Sequence, residues 1–82
     1  GALQVKENST VIHENKTFEV RTAILDGRFC VRVFLDGAQV SPEYSATLEV
    51  GQDYFSQHQE RIIAELARIA EADVRRGIYL QA

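Results

Sequence analysis

The sequence predicts an α+β domain: an antiparallel meander of three or four strands with one long C-terminal amphipathic helix packed on one face. Three observations carry this. Two runs rich in β-branched and apolar residues, 17–25 and 28–35, flank Asp26-Gly27. Asp-Gly between such runs is a strong hairpin signal, because a type I′ turn needs positive φ at both central positions. The last third of the chain changes to helical periodicity, with apolar residues returning every three or four positions.

Size and charge bound the rest. The 82 residues make one domain. A chain this short buries about 60% of its unfolded surface, so its core is thin. Apolar residues at 45% and charged residues at 26% suit a globular chain and not a disordered one. No apolar run approaches the roughly 18 residues of a membrane span. Twelve acids against nine bases leave a net charge of −3. That balance argues against a general basic nucleic-acid binder and against a polybasic membrane anchor. The single cysteine, Cys30, excludes an internal disulfide and with it a small disulfide-stapled fold. With no signal-peptide pattern in the sequence, a cytoplasmic setting is expected.

Residues 1–16 read as a polar segment with a short strand at 10–13, closed by a turn at Glu14-Asn15-Lys16. Residues 17–80 read as the single α+β domain. A two-residue loop at 26–27 sets the hairpin register. One face then carries Ile24–Phe29, Thr22–Val31, Val20–Val33 and Phe18–Leu35. The other carries Ala23–Cys30, Arg21–Arg32 and Glu19–Phe34. A slip of one residue would mix the two sets, so the pattern supports the register. The first face is the expected core.

Asp36-Gly37 ends the second strand of the hairpin. Val40, Tyr44, Ala46, Leu48 and Val50 share one parity and predict a further strand at about 44–50. Pro42 cannot donate to a ladder, so either this strand is an edge or 36–43 is a wide loop, and pairing is expected to concentrate in Tyr44 to Val50. Asp53 is a good N-cap for a helix over about 54–76. Phe55, Ile62, Ile63, Leu66, Ala67, Ile69, Ala70 and Val74 fall on one arc of roughly 160°. Gly77 suits the left-handed position past the end, with Ile78 following it.

Catalytic and metal templates find no match. There is no Gly-rich phosphate loop, no Gly-x-Ser-x-Gly, no His-Glu-x-x-His and no Cys-x-x-Cys. His13 and His58 have no second His or Cys at metal-ligand spacing. No cofactor, no metal and no catalytic residue is expected. Arg61, Glu65, Arg68, Glu71 and Arg75 alternate in sign on the helix exterior, a self-neutralising ladder worth about 0.2–0.5 kcal/mol per pair. Asp73 stands inside the apolar arc, where an overhanging last turn would leave it wet or paired with an arginine.

The non-core sheet face is the most informative feature. It presents Arg21, Arg32, Cys30, Phe34, Ala23 and Leu25, with Arg28 at the hairpin tip. Arg21 and Arg32 oppose each other, which costs stability unless a carboxylate such as Glu19 or Glu43 intervenes. One helix covers one side of a sheet. The other is then expected to be open, apolar and arginine-bearing, the composition of an interface core.

The expected function is therefore a non-enzymatic protein-interaction module. Arg21, Leu25, Cys30, Arg32 and Phe34 are its candidate partner-binding residues. A homodimer is the expected assembly, joined through the open sheet face or an edge strand. The second reading is a nucleic-acid-binding sheet using Arg21, Arg28 and Arg32. In layout, though in no motif, the chain is similar to the sheet-reading DNA-binding domains of some integrases and plant transcription factors. Against that, residues 33–60 hold five acids and no Lys or Arg.

Overall fold

The computed structural model describes residues 3–25, 28–47 and 52–80. Its elements are β1 (Leu3–His13), β2 (Lys16–Leu25), β3 (Arg28–Leu35), β4 (Ala38–Gln39), β5 (Tyr44–Thr47) and α1 (Gln52–Arg75). The sheet is antiparallel throughout, and α1 packs on one face of it. This is the α+β layout that the sequence predicts.

The β2–β3 register is the expected one at every pair from Phe18↔Leu35 to Leu25↔Arg28. The Asp26-Gly27 turn that sets it lies outside the described residues. Phe18, Val20, Val31 and Val33 are fully buried beneath the helix. Ala70, Val74 and Tyr79 meet them from the other side. A smaller cluster, Phe29 with Ile63, continues the core toward the hairpin tip.

The N-terminal segment departs from the reading as a polar stretch with a strand only at 10–13. β1 runs from Leu3 to His13 and pairs along the whole of β2, with a bulge between Val5 and Glu7. Its polar composition is that of an edge strand, with one ladder to make and little apolar surface to hide. Glu14 and Asn15 both take positive φ, 54° and 64°. They close a two-residue loop between His13 and Lys16, the geometry of a type I′ hairpin.

The fourth strand position is split. β4 pairs with Phe34 and Leu35 at one end of β3, and β5 pairs with residues 28–31 at the other. Pro42 lies in the gap between them. Ser41 fills it, buried and aimed inward. Its hydroxyl accepts from the Val33 N–H at 2.9 Å and donates to the Pro42 carbonyl at 2.8 Å. The strand expected to reach residue 50 is described as far as Thr47; Leu48 and Val50 lie outside the described residues.

The helix begins at Gln52, so Asp53 lies within the first turn rather than ahead of it. It is broken at His58, where φ is −123° and ψ 15°. No proline or glycine stands at the break. Of the arc residues whose side chains are described, Ile63, Ala70 and Val74 are buried and Ile62, Leu66 and Ala67 partly so, whereas Ile69 is 43% exposed; the Phe55 side chain lies outside the described residues. The helix ends in a Schellman motif: the Gly77 N–H reaches the Val74 carbonyl at 3.0 Å and the Ile78 N–H the Asp73 carbonyl at 3.4 Å. Gly77 has φ 79°. Ile78 is exposed, and Tyr79 with Leu80 folds back onto the core instead.

Candidate interaction surfaces

The face of the sheet away from the helix was expected to be open. In the structure its apolar residues are largely covered, Phe34 by two arginines. Phe34 is only 8% exposed and Cys30 2%. The Arg21 guanidinium lies over the Phe34 ring at 3.8 Å from its centroid, and that of Arg32 at 5.4 Å. Both arginines thus stack on one ring, and their aliphatic stems lend it cover. Arg21 Nε also donates to Glu19, next-but-one along the strand. That carboxylate eases the Arg21–Arg32 opposition. Leu25 is half-buried.

Arg28 pairs with Glu43 through two hydrogen bonds, Nε to Oε2 at 3.1 Å and a terminal nitrogen to Oε1 at 3.3 Å. The Arg28 guanidinium holds the Glu43 carboxyl below the usual carboxylate range. Cys30 sits beside this pair, its thiol directed to the Arg28 carbonyl at 3.9 Å. Burial first, and the Glu43 carboxylate second, push the thiol pKa up. The thiolate is therefore disfavoured, which makes Cys30 a poor nucleophile. Of the five candidate partner-binding residues, then, the structure gathers all on one face but covers Phe34 and Cys30 within the chain.

A second polar cluster joins β5 to the end of α1. The Tyr44 hydroxyl donates to Asp73 Oδ2 at 2.7 Å and also meets the Tyr79 hydroxyl. Asp73 further pairs with Arg76 at 3.4 Å. This accounts for an acid inside the apolar arc: the Tyr44 hydroxyl, itself met by Tyr79, satisfies it from the core side. Burial, followed by its bonds to Tyr79 and Asp73, pushes the Tyr44 pKa well above its ordinary value. Sequence parity places Tyr44 on the helix side of its strand, but nothing in the sequence pairs it with a residue in the last turn.

Between β1–β2 and α1 lies a groove of about 620 Å³. Ile63, Ala64 and Ala67 form its apolar wall, and Glu7, Glu60, Arg68 and Glu71 its rim. Glu71 accepts from the Ser9 hydroxyl at 3.1 Å, so it faces β1 as well as the outer ladder. At the same place the Thr22 hydroxyl accepts from the Glu7 N–H at 2.8 Å and donates to the Glu7 carbonyl at 2.6 Å, which pins the bulge of β1. The sequence does not predict the groove, because its β1 wall, Glu7 and Ser9, falls in the polar segment ahead of the strand expected at 10–13.

The outer edge of β1 is the remaining surface. Among the described residues no strand pairs with it. The Glu7 N–H and C=O both turn toward Thr22 of β2. Backbone direction alternates along a strand, so Glu7, Ser9, Val11 and His13 face β2, while Asn8, Thr10 and Ile12 face outward. The two-residue loop after His13 demands the same phase. Ile12 is 73% exposed and Val5 62%, both on the face away from the helix.

Among the described residues no group of three or more His, Cys, Asp or Glu side chains stands close enough to hold a metal ion. No described helix is long and apolar enough to cross a membrane. No family model matches this chain, and neither the curated proteins nor the solved structures include a match to it.

Proposed function

We propose that this chain is a small non-enzymatic interaction module that self-associates by strand addition along the outer edge of β1. The observation that supports this is the stretch from Glu7 to His13: unbulged, paired on one edge only among the described residues, with the backbone of Asn8, Thr10 and Ile12 turned outward and Ile12 exposed beside them. Proteins ordinarily blunt such an edge with bulges, charges or proline. Here the bulge interrupts β1 before Glu7 and leaves the following half open to pairing.

The edge route is favoured over the face route because Phe34 and Cys30 are already covered within the chain. A lone buried thiol suits a reducing compartment, and the cytoplasm is the proposed setting.

Sedimentation equilibrium of the intact chain tests the reading. A concentration-dependent dimer is expected. Thr10→Pro should abolish it with the circular dichroism unchanged, because proline is tolerated on an edge strand where its missing N–H would face solvent. A chain of 9.2 kDa that stays monomeric at high concentration would overturn the proposal.

A further inference from the structure

We infer that two copies of this chain pair antiparallel along β1 about a two-fold axis at Thr10, so that Glu7 of each copy stands opposite His13 of the other. The inference rests on the self-association proposed above and adds its register.

The outward backbone groups belong to alternate residues, so a hydrogen-bonded cross-strand pair must join two of Asn8, Thr10 and Ile12. A two-fold at Thr10 uses all of them. Thr10 meets Thr10 of the second copy, Asn8 meets Ile12, and Ile12 meets Asn8. Each such pair exchanges two N–H···O=C bonds in an antiparallel ladder. An axis at Asn8 or Ser9 would draw Lys6 into the ladder, and the strand is bulged there between Val5 and Glu7. An axis beyond Thr10 leaves Asn8 without a mate.

Side chains favour the same choice. On the helix side, Glu7 and His13 become directly opposed in a non-hydrogen-bonded pair, where side chains approach most closely. A carboxylate acceptor then faces an imidazole N–H donor, and symmetry repeats the contact at the other end. On the far side, Ile12 lies beside Asn8 and diagonal to Thr10 of the second copy, which covers its exposed surface. The paired threonines at the axis are a favourable cross-strand combination. With the axis normal to the sheet, both helices lie on the same side of one continuous sheet.

Disulfide trapping tests the register, in a Cys30→Ala background. Glu7→Cys mixed with His13→Cys should cross-link under mild oxidation, because Cα atoms at a non-hydrogen-bonded pair fall within disulfide reach. The yield should be at least about tenfold that of either variant alone. Ser9→Cys alone should stay uncross-linked. Efficient self-linking of Ser9→Cys, or a sedimenting dimer in which Glu7→Cys and His13→Cys fail to link, would overturn the register while leaving edge pairing intact. A wild-type chain that sediments as a monomer would overturn both.

Discussion

Tyr44 donates its hydroxyl hydrogen to Asp73 at 2.7 Å, across 29 positions of sequence. The bond ties the short strand after Pro42 to the last turn of the helix, where the Tyr79 hydroxyl completes the cluster. Asp73 is thereby held where the apolar arc alone would exclude it.

Removing the Tyr44 hydroxyl should therefore cost stability without moving the fold. Tyr44→Phe leaves the Asp73 carboxylate with Arg76 but without its donor from β5, at a cost of about 1–3 kcal/mol. Urea denaturation measures it. The same bond carries a pH signature. The folded pKa of Tyr44 is raised above 10.0. Its contribution to stability is then fully present below about pH 10 and is lost as pH rises further toward the folded value. The wild-type chain should lose stability with pH above that point more steeply than Tyr44→Phe. Equal slopes would show that the hydroxyl is not held protonated by the fold.

Much of this architecture is legible in the sequence because it obeys short rules. The β2–β3 register follows from Asp26-Gly27 and from strict alternation, and Gly77 marks the helix end. β1 is not legible, because an edge strand needs no apolar alternation: Ser9 and Glu7 face the helix side as polar residues, and Ser9 bonds Glu71 there. Phe34 shows a different limit. Its face is correctly read from parity, but parity carries no information on whether Arg21 extends into water or folds over the ring. The break at His58 has no signal among its neighbours.

The arginine cover gives a second prediction. Arg21→Ala should expose Phe34 and lose a cation–π contact and stem packing together, about 0.5–2 kcal/mol. Dye binding to exposed apolar surface should rise with the substitution, and Arg21→Lys should give an intermediate result. The same variant separates the nucleic-acid reading from the module reading. An arginine occupied by Phe34 and Glu19 adds little to phosphate binding, so a mixed-sequence duplex should not shift at moderate salt. A complex that weakens steeply with salt and disappears in Arg21→Ala would instead assign the face to nucleic acid.

Cys30 should behave as a protected thiol. Burial and the Glu43 carboxylate both disfavour its thiolate, and the side chain is 2% exposed. Alkylation at neutral pH should then require opening of the sheet, and run at least about a hundredfold slower in the native chain than in strong denaturant. The folded pKa is raised, so the stability this thiol contributes is present below its ordinary value of 9.0 and falls as pH rises through the folded value. Rapid alkylation of the native chain would show that the Arg28–Glu43 pair does not shield it.

The bulge of β1 depends on Thr22. This side chain is 4% exposed, and its hydroxyl serves both the N–H and the C=O of Glu7. At a bulge one residue of the longer strand lacks its ladder partner; here that is Lys6, and the Thr22 side chain bonds the backbone of the next residue, Glu7. Thr22→Val keeps shape and β-propensity but removes both side-chain bonds to the Glu7 backbone at the rim of the groove. The cost should be about 1–3 kcal/mol, less if water reaches the site. Hydrogen exchange locates it: the Glu7 amide should exchange faster, while Val20 and Val31 in the central strands slow or hasten only with global stability. Because Glu7 also sets which backbone groups of β1 face outward, loosening it should weaken strand addition at that edge as well. Unchanged exchange at Glu7 in Thr22→Val would mean that something other than this hydroxyl holds the bulge.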